Sequence, residues 1–115
     1  MNKIFFDKVV SSFFQNRFKK KYRFRNVDDI PKKIDDNTIY IVQEGTEPET
    51  LVFMCPCGCQ QPVLLNLLKD THPFWTFQIE KRKISLFPSV IRKKGCHSHY
   101  CIKNGTVIWV RSCAV

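Results

Sequence analysis

The chain has 115 residues, a net charge of +9 and six cysteines, a length that allows one domain with a modest hydrophobic core. No apolar run approaches the roughly 20 residues of a membrane-spanning helix, and no hydrophobic stretch with a small-residue cleavage site indicates a signal peptide. We therefore expect a cytoplasmic globular protein whose cysteines stay reduced and act as metal ligands rather than forming three disulfides.

The first predicted element is an amphipathic helix over residues 3–18. Its apolar side chains recur at near-helical spacing, and they are Ile4, Phe5, Val9, Phe13 and Phe18. We interpret residues 1–21 as a basic helical extension and residues 22–115 as a separate domain.

Positive charge is concentrated at the start of the sequence. Residues 1–26 hold eight Lys or Arg and one Asp, and the basic stretch 19–25 is interleaved with aromatic residues. This pattern is compatible with docking to an acidic protein, with nucleic-acid contact through residues 1–25, with a membrane surface, or with charges that are simply solvated.

After a polar connector, the pattern changes to about seven short β-strands. They are predicted at residues 38–42, 50–54, 62–68, 74–79, 83–87, 98–103 and 106–110. The last two are joined by Asn104-Gly105, a strong hairpin signal because both turn residues must accept a positive φ. The predicted fold class is mainly β, a small α+β domain with one N-terminal helix and about seven strands stapled by a zinc site.

Two cysteine-rich loops predict that structural zinc site. The segment Cys55-Pro-Cys-Gly-Cys59 can form a tight knuckle in which Gly58 permits the turn, and Cys96 and His99 have ligand-like spacing. Because the two loops follow separate strands, one Zn²⁺ ion could link them and compensate for the small core.

Two ligand sets fit this spacing. The set that we predict is Cys55, Cys57, Cys59 and Cys96. The alternative takes two of the first three cysteines together with Cys96 and His99, and it would remove His99 from any catalytic role.

Candidate catalytic groups are few, since the chain has three histidines. A serine nucleophile needs a base within hydrogen-bond reach, and Ser85 and Ser89 precede His99 in the sequence. From spacing alone, Ser89 is interpreted as a turn residue and His99 as a buried or metal-bound histidine.

The order of the motifs resembles a small bacterial family whose members are found in operons that encode ubiquitin-like proteins with their activating and conjugating enzymes. The resemblance covers roughly residues 22–110. The motifs that carry it are Phe24-Arg-Asn-Val-Asp-Asp-Ile-Pro31, Asn37-Thr-Ile-Tyr-Ile41, Cys55-Pro-Cys-Gly-Cys59, Trp75, Ile84-Ser-Leu-Phe-Pro-Ser-Val90, Cys96-His-Ser-His-Tyr-Cys-Ile102 and Asn104-Gly-Thr-Val-Ile-Trp109.

This resemblance implies a peptidase that trims a ubiquitin-like precursor or removes the tag from its targets. It implies Ser89 as nucleophile and His99 as base on a zinc-stabilised scaffold, with the ubiquitin-like protein and its conjugating enzymes as partners. Ser85 matches the same motif and stays an alternative nucleophile, and Asp70 is a candidate to orient the base. Gln60 stands where the family pattern continues with glycine, a change expected to alter the bend of the knuckle.

A second function from another class is also kept. The charge asymmetry and the cysteine loops are typical of a non-enzymatic zinc-binding module that contacts nucleic acid or a partner in a conjugation complex. A structural subunit of such a complex, without activity of its own, is the third interpretation.

Overall fold

The computed structural model describes residues 20–93 and 95–109, and this part of the chain consists of β-strands joined by turns and loops. The nine strands are β1 Arg23–Val27, β2 Thr38–Val42, β3 Thr50–Met54, β4 Pro62–Asn66, β5 Thr76–Glu80, β6 Lys83–Phe87, β7 Val90–Ile91, β8 His99–Lys103 and β9 Thr106–Trp109. They form a four-stranded sheet of order β1-β2-β3-β4, a two-stranded sheet of β5 and β6, and a three-stranded sheet of order β7-β8-β9.

The four-stranded sheet is built around β2, in which all five residues are buried. β1 pairs with it in parallel and β3 pairs with it antiparallel. Because side chains alternate along a strand, Ile39 and Ile41 enter the main core while Tyr40 and Val42 enter a second, smaller cluster on the other face. Apolar packing on both faces explains why β2 is a continuous β-rich run rather than an alternating one.

One hydrophobic core joins the three sheets. It contains buried side chains from each of them, among which are Phe53 of β3, Ile84 of β6, Val90 of β7 and Tyr100 of β8. This shared core brings the end of β6, the whole of β7 and the start of β8 into one neighbourhood, where the candidate catalytic residues lie.

The Asn104-Gly105 turn closes the β8–β9 hairpin and contacts two further parts of the chain. Gly105 has a φ of 76°, its N–H donates to the carbonyl oxygen of Ile84 at 2.6 Å, and its own carbonyl accepts from the N–H of Tyr22 at 2.6 Å. A Cβ at this position would lie 2.6 Å from the carbonyl oxygen of Tyr22. The turn therefore needs glycine both for its backbone conformation and for the close approach of a neighbouring segment.

The predicted fold class, a small α+β domain with about seven strands, is wrong for residues 20–93 and 95–109, which hold nine strands and no helix. The seven predicted strands are present, but β1 and β7 are not predicted by the pattern. β1 is an edge strand with exposed or half-buried side chains, and β7 has only two residues. The helix expected at 3–18 lies outside the described residues, and within them no helix has the length and apolar character to cross a membrane.

Candidate active site and metal centre

Ser89 and His99 lie side by side where β7 and β8 pair. Ser89 directly precedes β7, His99 is the first residue of β8, and Ile91 is the register partner of His99. The distance between Ser89 Oγ and His99 Nε2 is 2.9 Å, and both side chains are half-buried. In this geometry a neutral imidazole can accept the hydroxyl proton, which is what a serine nucleophile requires of its base.

Ser85, the alternative serine, is engaged elsewhere. Its Oγ accepts a hydrogen bond from the backbone N–H of Asn104 at 2.8 Å, in the turn between β8 and β9. This contact fastens β6 to the hairpin. The two serines of the motif therefore have different contacts, since Ser89 faces the imidazole and Ser85 supports a turn.

No carboxylate orients His99 in the part of the chain that the structure describes. The hydrogen bond found for its side chain is the one to Ser89. Asp70, the candidate suggested by the sequence, is exposed in the loop between β4 and β5, where its carboxylate accepts a hydrogen bond from the Thr71 hydroxyl at 3.4 Å. Among the described residues the site is therefore a serine–histidine pair.

Trp75 fixes the backbone of Ser89. Its indole N–H donates to the carbonyl oxygen of Ser89 at 3.3 Å, and its own backbone N–H donates to the carbonyl of Asn66 at 2.8 Å. The hydrogen bond spans the gap between the β4–β5 loop and the segment that carries the serine. Trp75 belongs to the motifs named above, but its contact with Ser89 could not be read from spacing.

Asn66 organises the loop that presents Trp75. Its side-chain amide nitrogen lies 3.1 Å from the carbonyl of Leu68, 3.0 Å from that of Thr71 and 3.1 Å from that of Pro73, and its amide oxygen accepts from the N–H of Leu68 at 3.1 Å. Sequence reasoning missed this residue. The available signal was a single amide side chain within the apolar run 62–68.

Four cysteine side chains converge beside the loop that connects β7 to β8. They are Cys55, Cys57, Cys59 and Cys96, and their sulfur atoms all lie within 4.8 Å of one another. The Sγ–Sγ distance is 3.4 Å between Cys55 and Cys57 and 3.6 Å between Cys55 and Cys96. Ligands about 2.3 Å from a tetrahedral Zn²⁺ ion would be about 3.8 Å apart, so the four sulfurs are close enough to hold a metal ion.

The electrostatic environment of these thiols is uneven. Burial raises the pKa of Cys55 to about 12, because a thiolate loses hydration in this position. The hydroxyl of Ser98, which donates to Cys96 Sγ at 3.1 Å, lowers the pKa of Cys96 to about 6. A bound cation would favour the thiolate form at all four positions, because thiolates are the metal-binding form of cysteine.

The knuckle turns sharply at Gly58 and Gln60. Gly58 has a φ of 90° and Gln60 has a φ of 61°, so Gln60 adopts the left-handed conformation that glycine favours. The N–H of Cys55 donates to the carbonyl of Gln61 at 2.9 Å and closes the loop. Cys59 lies within the sulfur cluster, and the backbone at Gln60 is strained.

A groove of about 530 Å³ lies beside Ser89. Phe74, Leu86 and Phe87 line it together with Lys103 of β8. Its volume lies in the range typical of ligand-binding clefts, and its walls are mainly apolar.

Comparison with known proteins identifies the family of this chain. Residues 26–110 match the family described as "Bacterial ubiquitination-like system serine protease (BubE)". No curated protein and no solved structure matches the chain significantly. The family match covers most of the 115 residues and includes Ser89, His99 and the four clustered cysteines. The chain therefore belongs to the BubE family of serine proteases of bacterial ubiquitination-like systems.

Proposed function

We propose that the protein is a serine peptidase that cleaves the bond after the C-terminal residue of a bacterial ubiquitin-like protein, in its precursor or in its conjugates. Ser89 is the nucleophile and His99 is the general base. The observation that carries this proposal is the 2.9 Å contact between Ser89 Oγ and His99 Nε2, found in a chain that belongs to a serine protease family.

The reaction is acyl transfer. His99 Nε2 takes the proton of the Ser89 hydroxyl as Oγ attacks the scissile carbonyl carbon, and backbone N–H groups near Ser89 stabilise the oxyanion. The protonated imidazole then gives this proton to the leaving amine, which frees the amine and leaves an ester on Ser89. His99 then deprotonates a water molecule that attacks the ester, and the protonated imidazole returns this proton to Ser89 Oγ as it leaves, which releases the C-terminal carboxyl group of the ubiquitin-like protein.

The four clustered cysteines are proposed to hold one structural Zn²⁺ ion. Four sulfur ligands complete a tetrahedral shell, the coordination typical of structural zinc. The ion would link the loop between β3 and β4, which carries Cys55, Cys57 and Cys59, to the loop before β8, which carries Cys96. Its contribution would be to hold two loops together rather than to take part in the acyl transfer.

Substitution of the two proposed catalytic residues tests the mechanism. The substrate is the ubiquitin-like protein of the same system with a reporter protein fused to its C-terminus. Ser89→Ala and His99→Ala should each lower kcat/KM by about 10³-fold or more while the fold is kept, because nucleophile and base act as a unit. A fluorophosphonate probe should label Ser89 in the wild type and label His99→Ala far more slowly.

Ser85→Ala is the matched control. It removes the acceptor for the Asn104 N–H, so it should cost about 1 kcal/mol of stability and leave cleavage within a few fold of the wild type. Normal cleavage by both Ser89→Ala and His99→Ala would refute the serine mechanism, and loss of cleavage in Ser85→Ala alone would transfer the role to Ser85.

The basic N-terminal segment is proposed to recruit an acidic partner of the conjugation system. Lys21, Arg23 and Arg25 alternate along the extended chain and are exposed, while Tyr22 and Phe24 between them face the core. Charges at every second residue form one basic edge, which supports electrostatic docking. Deletion of residues 1–19 and charge reversal at Arg23 and Arg25 should each weaken salt-sensitive copurification with the conjugating enzyme. Binding of labelled nucleic acid would instead support the interface predicted at residues 1–25.

A further inference from the structure

The groove beside Ser89 extends along one face of β8. Side chains alternate along a strand, so His99, Cys101 and Lys103 share a face while Tyr100 and Ile102 point into the core. His99 contacts Ser89, and Cys101 and Lys103 line the groove. The groove therefore begins at the proposed catalytic pair and runs toward the end of β8.

The distance from His99 to Lys103 along this face determines how many residues of a bound peptide would span it. Lys103 lies four residues from His99 in an extended strand, which is about 13 Å. An extended peptide advances by the same length per residue as a β-strand, so about four residues of peptide reach from the scissile bond to Lys103. The walls between the two ends are formed by Phe74, Leu86 and Phe87.

Lys103 is the charged group of this groove. It is half-buried, and among the described residues no carboxylate lies within ion-pair distance of its ammonium group. Its register partner in β9 is the neutral Thr106. A cation with no counter-charge within residues 20–93 and 95–109, at the end of an apolar groove, complements a peptide with apolar side chains followed by a carboxylate.

Building on the proposed function, we propose that this groove selects the substrate: it binds an extended peptide with apolar side chains next to the scissile bond and with a carboxylate about four residues away, which pairs with Lys103. Two chemically equivalent groups of the substrate could supply this carboxylate. It belongs either to an acidic side chain or to the free terminus of a short extension that the enzyme removes.

Binding to the full-length Ser89→Ala variant tests the proposal without turnover. The probes are fluorescent peptides that span the C-terminal junction of the ubiquitin-like protein, with one Glu moved along the sequence and a matched Gln series. We expect Glu about four residues from the junction to bind about two- to five-fold more tightly than Gln. A second pair, ending about four residues after the junction in a free acid or a carboxamide, distinguishes a terminal carboxylate from an acidic side chain.

Two charge reversals complete the design. Lys103→Glu should invert the preference and Lys103→Ala should remove it, whereas Lys83→Glu makes the same change of charge in β6, outside the groove lining, and should keep it. An unchanged preference in Lys103→Glu, no preference in either peptide series, or no peptide binding would overturn the proposal. If Ser89→Ala still cleaves while the peptide preference holds, the serine mechanism fails and the groove assignment stands.

Discussion

The hydrogen bond from Trp75 to Ser89 gives a sharp test of how the proposed nucleophile is positioned. Replacing Trp75 by Phe keeps an aromatic ring but removes the indole N–H that donates to the Ser89 carbonyl at 3.3 Å. A neutral hydrogen bond of this kind contributes about 1 kcal/mol, and a loss expressed entirely in the transition state corresponds to about a five-fold lower rate. We therefore expect kcat to fall about three- to ten-fold, the upper part of the range reflecting looser packing.

The change should appear in kcat rather than in KM. Trp75 contacts the backbone of Ser89 and is not part of the lining of the groove, so substrate binding should be nearly unaffected. A positioning role predicts a matching decrease in the rate at which a fluorophosphonate probe labels Ser89. A purely structural role would instead lower the midpoint of urea unfolding and leave both rates unchanged per folded molecule.

Trp109 offers a matched control. Its ring packs against that of Tyr100, with the two ring centroids 5.6 Å apart. In the described part of the chain its indole N–H has no hydrogen-bond partner. Trp109→Phe should cost packing energy with kcat within two-fold of the wild type. Equal kcat values for Trp75→Phe, Trp109→Phe and the wild type would refute the argument that the indole fixes the serine.

Three further predictions concern the scaffold. Gly105→Ala should lower the free energy of unfolding by about 2–4 kcal/mol in urea titrations, because the new side chain combines a φ of 76° with a Cβ 2.6 Å from a carbonyl oxygen. Gly45→Ala is the control: its Cβ would meet no atom within 4 Å, so its free energy of unfolding should stay within about 1 kcal/mol of the wild type. Gln60→Gly should raise the stability by about 0.5–1 kcal/mol by relieving the left-handed backbone, and a decrease would contradict the strain. Elemental analysis of reduced protein should give one bound Zn²⁺ per chain. A chelator should lower the midpoint of thermal unfolding, and it should do so more readily at acidic pH, where the cysteine ligands are protonated. A metal-free protein whose midpoint is unchanged would refute the assignment of a zinc site.

The sequence predicts the local elements of this fold better than their contacts. The strands at 38–42, 50–54 and 83–87 are present at the predicted residues because their β-rich runs are bounded by polar turns. β1 could not be predicted, since its stability comes from pairing in parallel with β2 rather than from its own pattern, which includes exposed Arg23 and Arg25. β7 has two residues and exists only because β8 is beside it.

The candidate site shows the same division between local and long-range information. The grouping of Cys96 with the three knuckle cysteines is predicted from the ligand-like spacing of both loops, and the structure brings these four sulfur atoms together, although their mutual distances depend on how two sheets pack. The 2.9 Å contact of Ser89 with His99 is set by the β7–β8 register, and spacing alone favours a turn residue at Ser89. Asn66 acts through four contacts to backbone atoms of its own loop, which no motif describes.

The cysteine cluster and the serine–histidine pair are joined by one short segment. Cys96 is three residues before His99, and the intervening Ser98 donates its hydroxyl to Cys96 while its carbonyl accepts from the N–H of Arg92 at 2.8 Å. A metal ion bound by Cys96 would therefore also fix the start of β8, which carries the imidazole of His99. Because the remaining ligands come from the loop between β3 and β4, the position of His99 relative to the four-stranded sheet depends on the cluster, and partial loss of metal should reduce cleavage before the fold itself is lost.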